Sequence, residues 1–436
     1  MVSNVIGSGI FFVPIIVAQM LPSPSAMLWM WFVGGALAFA GAMAYAELSA
    51  LRPRAGGEYV YLREAFGPLA AFLTGWTSFV AGFSGAMAAA AVAVADYVGR
   101  FVPAAASTAP LLTIPIPAMP LVISPRSGVA LATIAILSLI HIRGLGPGRI
   151  VQNLLAGIKA SALVAIIALG FALGRGHGAA GPLEVGIAPS GLLLALVPIM
   201  FTYSGWNAAT YVAEEVRDPG RNVPLALGMG TVAVILIYLG LNALYLHVIP
   251  VPELASMSGR LLDVVGERLF GVGVGNAIAV FTIVSLCASI SAMTLAGPRV
   301  YYAMARDGLF LPAAAAVHPR FHTPAVAIIA QALWTAVLIS SASLSQLVSY
   351  TGFAVVLFSA VAVAAVFVLR RRQPDAPRPF RAWGYPWAPA TFVIASAVML
   401  VNEIMRNGIT ALAGLAVIAA GVPVYFLFAR KKKGGV

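Results

Sequence analysis

Ile6-Gly7-Ser8-Gly9-Ile10-Phe11, with Pro14 one turn further on, interrupts the first apolar run of the chain. Two glycines around a serine form helix poorly, and Pro14 removes a rung of the hydrogen-bond ladder. Far downstream, Phe201-Thr202-Tyr203-Ser204-Gly205-Trp206-Asn207 disturbs another apolar run in the same way, now with aromatics and an asparagine beside the Ser-Gly pair. The first stretch alone is accounted for equally well by close helix packing, since small residues let helices approach. The second would otherwise read as an interfacial aromatic cluster, but it lies too far from Glu184 and Glu214 to be one. As a pair they are more informative. Unwound backbone deep in an apolar span is tolerable only where it lines a cavity or is buried in protein. Two interrupted spans at corresponding places of two halves point to an inverted-repeat carrier with its site at the bilayer midplane.

Composition sets the medium. Of 436 residues, 61% are hydrophobic and only 9% charged, against about a quarter charged in ordinary soluble domains. The solvent for most of this chain is therefore lipid, and chemistry has to take place inside a helical bundle. A spanning helix needs about 20 apolar residues. The intervals between charges place spans at 4–21, 27–50, 68–99, 127–142, 150–174 around the single charge of Lys159, 185–213, 222–252 and 269–298, the last extending past Arg299. Two more share 321–369, split at Ser340-Ser341-Ala342-Ser343, and 382–402 and 407–429 complete twelve. Residues 101–125 are also uncharged, but six prolines forbid a continuous helix there.

The distribution of charge tests this count. An even number of spans puts both termini on one side, and the tail Arg430-Lys431-Lys432-Lys433 assigns that side to the cytoplasm. Alternate loops placed inside then collect most of the 26 Lys and Arg, among them Arg52, Arg54, Arg63, Arg217, Arg221, Arg306 and Arg370 to Arg372. The net charge of +12 thus reads as topology and attraction to anionic lipid, not as a nucleic-acid footprint. The start lacks the basic region of a cleavable signal peptide. The single cysteine, Cys287, lies in an apolar run and not in a loop, so neither an internal disulfide nor a disulfide-linked partner subunit is expected.

The breaks suit a zwitterion. Half-helix N-termini present free N–H groups to a carboxylate, and freed carbonyls accept an ammonium. At these residues a family resemblance becomes specific. Gly7-Ser8-Gly9-Ile10-Phe11 resembles the first-span signature of the amino acid–polyamine–organocation superfamily, and Gly56-Gly57-Glu58-Tyr59-Val60-Tyr61-Leu62-Arg63-Glu64 resembles its loop between spans 2 and 3. The run from Phe201 through Glu214-Glu215, Asp218-Pro219 and Arg221-Asn222-Val223-Pro224 is similar to the L-type amino acid transporter branch and its bacterial relatives. Arg306-Asp307-Gly308 and Arg378-Pro379-Phe380-Arg381 fit the later loops.

The resemblance covers almost the whole chain and implies an all-α membrane protein with a leucine-transporter-like core of five plus five inverted helices. Residues 1–174 would form the first repeat, 185–369 the second, 382–429 two further helices and 430–436 a basic cytoplasmic tail. It also implies secondary amino acid transport across the cytoplasmic membrane, proton-coupled or by exchange. The backbone of Gly7, Ser8 and Gly9 would hold the substrate carboxylate. Carbonyls near Val5, Ile6, Phe201 and Ser204 would hold its ammonium, Phe201 would close over it as an aromatic gate, and Asn207 would steady the break or touch the substrate. Ser204 stands where the branch commonly has glycine, so side-chain preference does not transfer. Only six residues precede Gly7, fewer than the family this sequence resembles carries before its break, which implies a truncated or misassigned start.

Lys159 lies inside span 5, too far from Arg149 and Arg175 to snorkel to either interface. An intramembrane charge costs about 3 kcal/mol on insertion scales and marks a functional site by default; locking spans together through carbonyls is the competing role. The resemblance implies an ammonium where sodium-coupled relatives of the fold hold their ion, with carbonyls near Gly7 and the hydroxyls of Ser289 or Ser291 as partners. Glu214 and Glu215 read as a structural network with Arg217 and Arg221, with a proton relay as the competing role. No metal cluster or cofactor motif is visible. A polyamine or organic-cation carrier is the alternative within the superfamily, but a bare cation wants an intramembrane carboxylate, and the sequence places none near either break. A polytopic membrane enzyme would need paired acid–base or metal groups at one depth, and a receptor has no need of paired broken helices.

Overall fold

The computed structural model describes residues 2–7, 9–116, 120–144, 146–173, 189–257, 261–341, 344–406 and 408–433. The first span is two helices, α1 (Val2–Val5) and α2 (Gly9–Met20), followed by α3 (Pro24–Leu51), which Ser23 caps by accepting from the Ala26 N–H. A short loop helix, α4 (Glu58–Phe66), leads into α5 (Pro68–Thr77) and α6 (Phe83–Val98), joined without a break by one wide turn of π-helix at Ser78–Gly82. Then come α7 (Pro125–Ile142) and α8 (Gly146–Leu173). The proline-rich stretch between α6 and α7 folds as a two-stranded antiparallel ribbon, β1 (Leu112–Ile114) and β2 (Leu121–Ile123), with Leu112 opposite Ile123.

The second broken span is α9 (Pro189–Tyr203) and α10 (Ala208–Tyr211). It precedes α11 (Pro219–Val248), two short helices, α12 (Val251–Ser256) and α13 (Leu261–Phe270), and the long α14 (Val272–Arg306). The chain closes with α15 (Ala325–Ser341), α16 (Leu344–Arg372), α17 (Trp387–Arg406) and α18 (Gly408–Lys433). Helix ends fall within a few residues of the uncharged intervals, and α14 runs past Arg299 as expected. Among the described residues, eight helices are long and apolar enough to cross a membrane, and Gly9–Met20, Ser190–Tyr203, Ala325–Ser341 and Gly414–Ala429 are shorter apolar helices.

Burial follows membrane logic. Leu225, Met229, Val232 and Leu236 of α11 and Ile136, Leu139 and Ile140 of α7 face outward although large and apolar. Bundle-facing surfaces combine aliphatic side chains, such as Leu227, Leu241 and Leu244 of α11, with small residues and aromatics. Trp31, Tyr203 and Tyr238 pack ring to ring at 5.1–5.9 Å between α3, α9 and α11. Buried Glu47 of α3, 2% exposed, is paired: it takes a two-pronged contact from Arg370 of α16 at 2.6 and 2.8 Å, lies 3.3 Å from Arg378, and accepts the Ala382 N–H. This ties α3 and α16 to the loop before α17. At another edge Arg100 joins Asp263 and Glu267 of α13 to Asn276 of α14.

Candidate functional site

In the first break the Ile6 N–H still reaches Val2 O, and the Gly7 N–H turns back onto Val5 O at 2.7 Å before α2 starts at Gly9. Ser8 lies outside the described residues. Carbonyls that an unbroken helix would consume are taken up from neighbouring helices. Tyr238 of α11 sits 2.8 Å from Val5 O and 3.1 Å from Thr202 O, so one phenol spans both breaks. In the second break the Ser204 N–H returns to Phe201 O, and Gly205 takes φ +90°, where a side chain would be strained. The Gly205 carbonyl accepts from the Ala208 N–H and from Asn4 Nδ2.

The glycines allow this contact. A Cβ on Gly9 would come within 2.7 Å of Thr202 Oγ1 and 3.0 Å of its Cα, and one on Gly205 within 2.5 Å of Asn4 Nδ2. Packing and unwinding, which competed as explanations of the sequence, coexist: the interrupted helices interlock at their interruptions.

A cavity of about 80 Å³ opens beside the second break. Asn4, Ser204, Gly205 and Asn207 line it from the broken spans, and Thr77, Ser78, Gly82 and Phe83 line it at and beside the π-turn. Ser359 of α16 and Glu58 of α4 complete the polar wall. Asn4 Oδ1 is buried with no hydrogen-bond partner among the described residues, so a donor is wanted there. Phe201 is 5% exposed and lies beside Gly352 of α16, not on the cavity wall.

Glu58 corrects the sequence reading, which placed no carboxylate near a break. It is 6% exposed, accepts from the Tyr45 hydroxyl at 2.6 Å, and accepts on the same Oε1 from Asn207 Nδ2. Asn207 also donates to Tyr211 Oη at 2.9 Å. Burial pushes the Glu58 carboxyl above the usual range, while hydrogen bonds from Tyr45, Asn207 and Tyr211 pull it back. Gly56 and Gly57, at φ +111° and +50°, turn the loop inward at this point, and a Cβ on Gly57 would strike the Tyr211 ring.

Lys159 is 1% exposed. Its Nζ donates to Ser289 Oγ at 2.7 Å and to Ser285 O at 3.1 Å, both on α14. Ser289 Oγ in turn donates to Ile6 O at 2.9 Å, so the ammonium reaches the first break through one hydroxyl. Ser291, grouped with Lys159 in the sequence reading, is bonded instead to His141 of α7 at 2.7 Å. The acidic pair after α10 is also redistributed: Glu215 binds Arg299 of α14 at 2.8 and 3.1 Å, and Glu214 accepts the Ala55 N–H, so neither pairs with Arg217 or Arg221.

Long apolar helices around an internal polar cavity, with no metal-holding cluster among the described residues, define a multi-pass membrane protein. Comparison with known proteins supplies the family. A family model described as amino acid permease matches residues 1–428. The chain is 30% identical over 436 residues to the mouse (Mus musculus) large neutral amino acids transporter small subunit 2, covering 98% of this chain and 78% of that protein. It is 27% identical to the serine/threonine exchanger SteT of Bacillus subtilis (strain 168), covering 99% and 95%, and 27% identical to the human (Homo sapiens) cystine/glutamate transporter, covering 98% and 83%. The protein belongs to the amino acid permease family of the amino acid–polyamine–organocation superfamily, whose members are transporters and not enzymes.

Proposed function

We propose that the protein moves α-amino acids across the cytoplasmic membrane by alternating access at the two breaks, as an exchanger or with a proton. The observation carrying this reading is the interlock of the breaks beside one polar cavity: Asn4 on Gly205, Gly9 on Thr202, and Tyr238 on both Val5 and Thr202. A substrate that separates or joins these contacts shifts the balance between arrangements of the two broken spans. The relatives named above carry large neutral amino acids, serine or threonine, and cystine or glutamate, which supports an α-amino acid recognised through its main-chain groups.

In this reading the N–H groups opening α2 at Gly9, with Ser8, receive the carboxylate, and the Gly7 N–H joins them when it leaves Val5 O. The second lone pairs of the Ile6 and Phe201 carbonyls remain for the ammonium, and Val5 O, which already accepts from the Gly7 N–H and Tyr238, joins them when Tyr238 lets go. Ser204 and Asn207 shape the side-chain end, and Phe201 closes it. Lys159 and Ser289 link the first break to α14 and couple its position to the ammonium. The eight long and four shorter apolar helices among the described residues support twelve spans in a five-plus-five core with two helices added, and the Lys and Arg bias supports cytoplasmic termini.

Reconstitution into liposomes tests the reading. Uptake of labelled neutral amino acids, accelerated by unlabelled amino acid or by a pH gradient across the membrane, is expected. Absence of uptake across an amino acid panel by well-inserted protein refutes it. Glu58 favours a second reading, an organic cation held by a carboxylate, so polyamines belong in the competition panel.

A further inference from the structure

Glu58 is an uncommon carboxylate for its surroundings. It is buried on the wall of the cavity, yet no Lys, Arg or His forms an ion pair with it among the described residues. Burial without a counter-ion favours the protonated form. Its neighbours favour the anion: Tyr45 of α3 and Asn207 beside α10 both aim donors at Oε1. A carboxylate held between these tendencies changes charge at small cost.

We propose that Glu58 is a proton-binding site on the transport pathway, and that its protonation releases the inner half of the second broken span. The inference rests on the transport reading above. Ionised, Glu58 clamps Asn207 against Tyr45 through two hydrogen bonds to a charged oxygen, the stronger kind. The clamp therefore ties α10 to both α3 and α4. A proton added to the carboxylate removes that charge and weakens both bonds at once. The moving element is small: α10 and the turn at Ser204–Asn207 hinge on Gly205, whose φ is already positive.

The titratable groups around the site are phenols. Tyr45 faces it from α3, Tyr211 from α10 and Tyr61 from its own helix, with the Tyr301 ring of α14 beyond Tyr211. Among the described residues, α16 brings the hydroxyl of Ser359 to this wall, and the α5 end and the π-turn bring those of Thr77 and Ser78. Glu58 is thus the group in this cluster that ionises as a carboxyl. The direction follows from the raised carboxyl: the clamp is present above the Glu58 pKa and is lost as pH falls through it.

Trp206 supplies a reporter that needs no substrate. Its ring sits edge-on to Tyr45 at 4.6 Å, inside the second break. The Trp206 part of the emission, isolated by subtracting a Trp206→Phe protein, is expected to titrate once, through a pH range above that of an ordinary carboxyl, and to be flat in Glu58→Gln. Tyr45→Phe removes a donor to the anion and is expected to raise the midpoint by about one pH unit. In liposomes, amino acid exchange by the wild type is expected to rise about fivefold or more as pH falls over the same range. Glu58→Gln, which keeps the acceptor oxygen but not the charge, is expected to lose that dependence. A Trp206 transition that survives in Glu58→Gln overturns the proposal, as does a Glu58→Gln exchange profile that still follows the wild type. Failure of the transport reading is separate: no amino acid is taken up at any pH while the Trp206 titration stands.

Discussion

Ser289→Ala isolates the link between Lys159 and the first break. The Ser289 hydroxyl accepts from the Lys159 ammonium at 2.7 Å and donates to Ile6 O at 2.9 Å. The first of these bonds is charge-assisted, worth about 2 kcal/mol net, and the second is neutral, worth about 1 kcal/mol. Alanine leaves almost no void, so the loss is polar and close to these two terms, about 3 kcal/mol together. Lys159 keeps its bond to Ser285 O, and the lysine side chain stays buried in place.

Where that loss falls depends on the cycle. If α1 and Ile6 rest on α14 in one arrangement of the transporter only, the whole amount biases that arrangement, and about 3 kcal/mol is about a hundredfold in population. Exchange in liposomes is then expected to drop between about tenfold and about a hundredfold, with insertion and thermal stability nearly unchanged. Ser289→Thr retains the hydroxyl and is expected to recover most of the rate. Ser291→Ala, two residues along and bonded to His141, is the contrast and is expected to stay within about twofold. Wild-type exchange by Ser289→Ala at unchanged substrate affinity refutes the linkage. A large fall in melting temperature with normal exchange makes Ser289 a structural tie only.

Gly9→Ala is expected to cost far more transport than Gly7→Ala, because a Cβ at Gly9 meets Thr202 Cα at 3.0 Å whereas at Gly7 the nearest atom is Val5 O at 3.7 Å; parallel uptake assays decide, and equal rates refute the interlock. Phe201→Ala is expected to lower uptake at least about tenfold while an amino acid still raises the melting temperature, since closure is lost and capture is kept; loss of both makes Phe201 a packing residue. Glu47→Ala strips Arg370 and Arg378 of their buried carboxylate and is expected to cost about 3–5 kcal/mol of stability, read as a lower melting temperature in detergent. An unchanged melting point would mean the arginines find other acceptors at no cost.

The features legible in the sequence are those in which residue type and depth coincide. Gly7, Gly9, Pro14 and Gly205 stand in apolar runs, so their disturbance of helix geometry is visible against an even background, and Lys159 stands out for the same reason. The partner of Lys159 on α14 was half legible: serines recur in that helix, but which one faces α8 depends on how the two helices are rotated. Ser289 and Ser291 are two residues apart and therefore on different faces. The acidic pair Glu214-Glu215 misled because Arg217 and Arg221 are near in sequence. The chain turns to extended backbone at Val216, which leaves Arg299 of another helix as the Glu215 partner. Glu58 was hidden most completely. It lies among Arg52, Arg54, Arg63 and Glu64 in a stretch that reads as a solvated loop, and nothing in its type separates it from them. The separation is made by Gly56 and Gly57, whose positive φ angles turn α4 into the bundle, and by the Gly57 hydrogen that lets the backbone pass against the Tyr211 ring. Read with Tyr59 and Tyr61 as inward anchors, both buried, the glycine pair is a physical signal that the glutamate after it is carried to the depth of the second break.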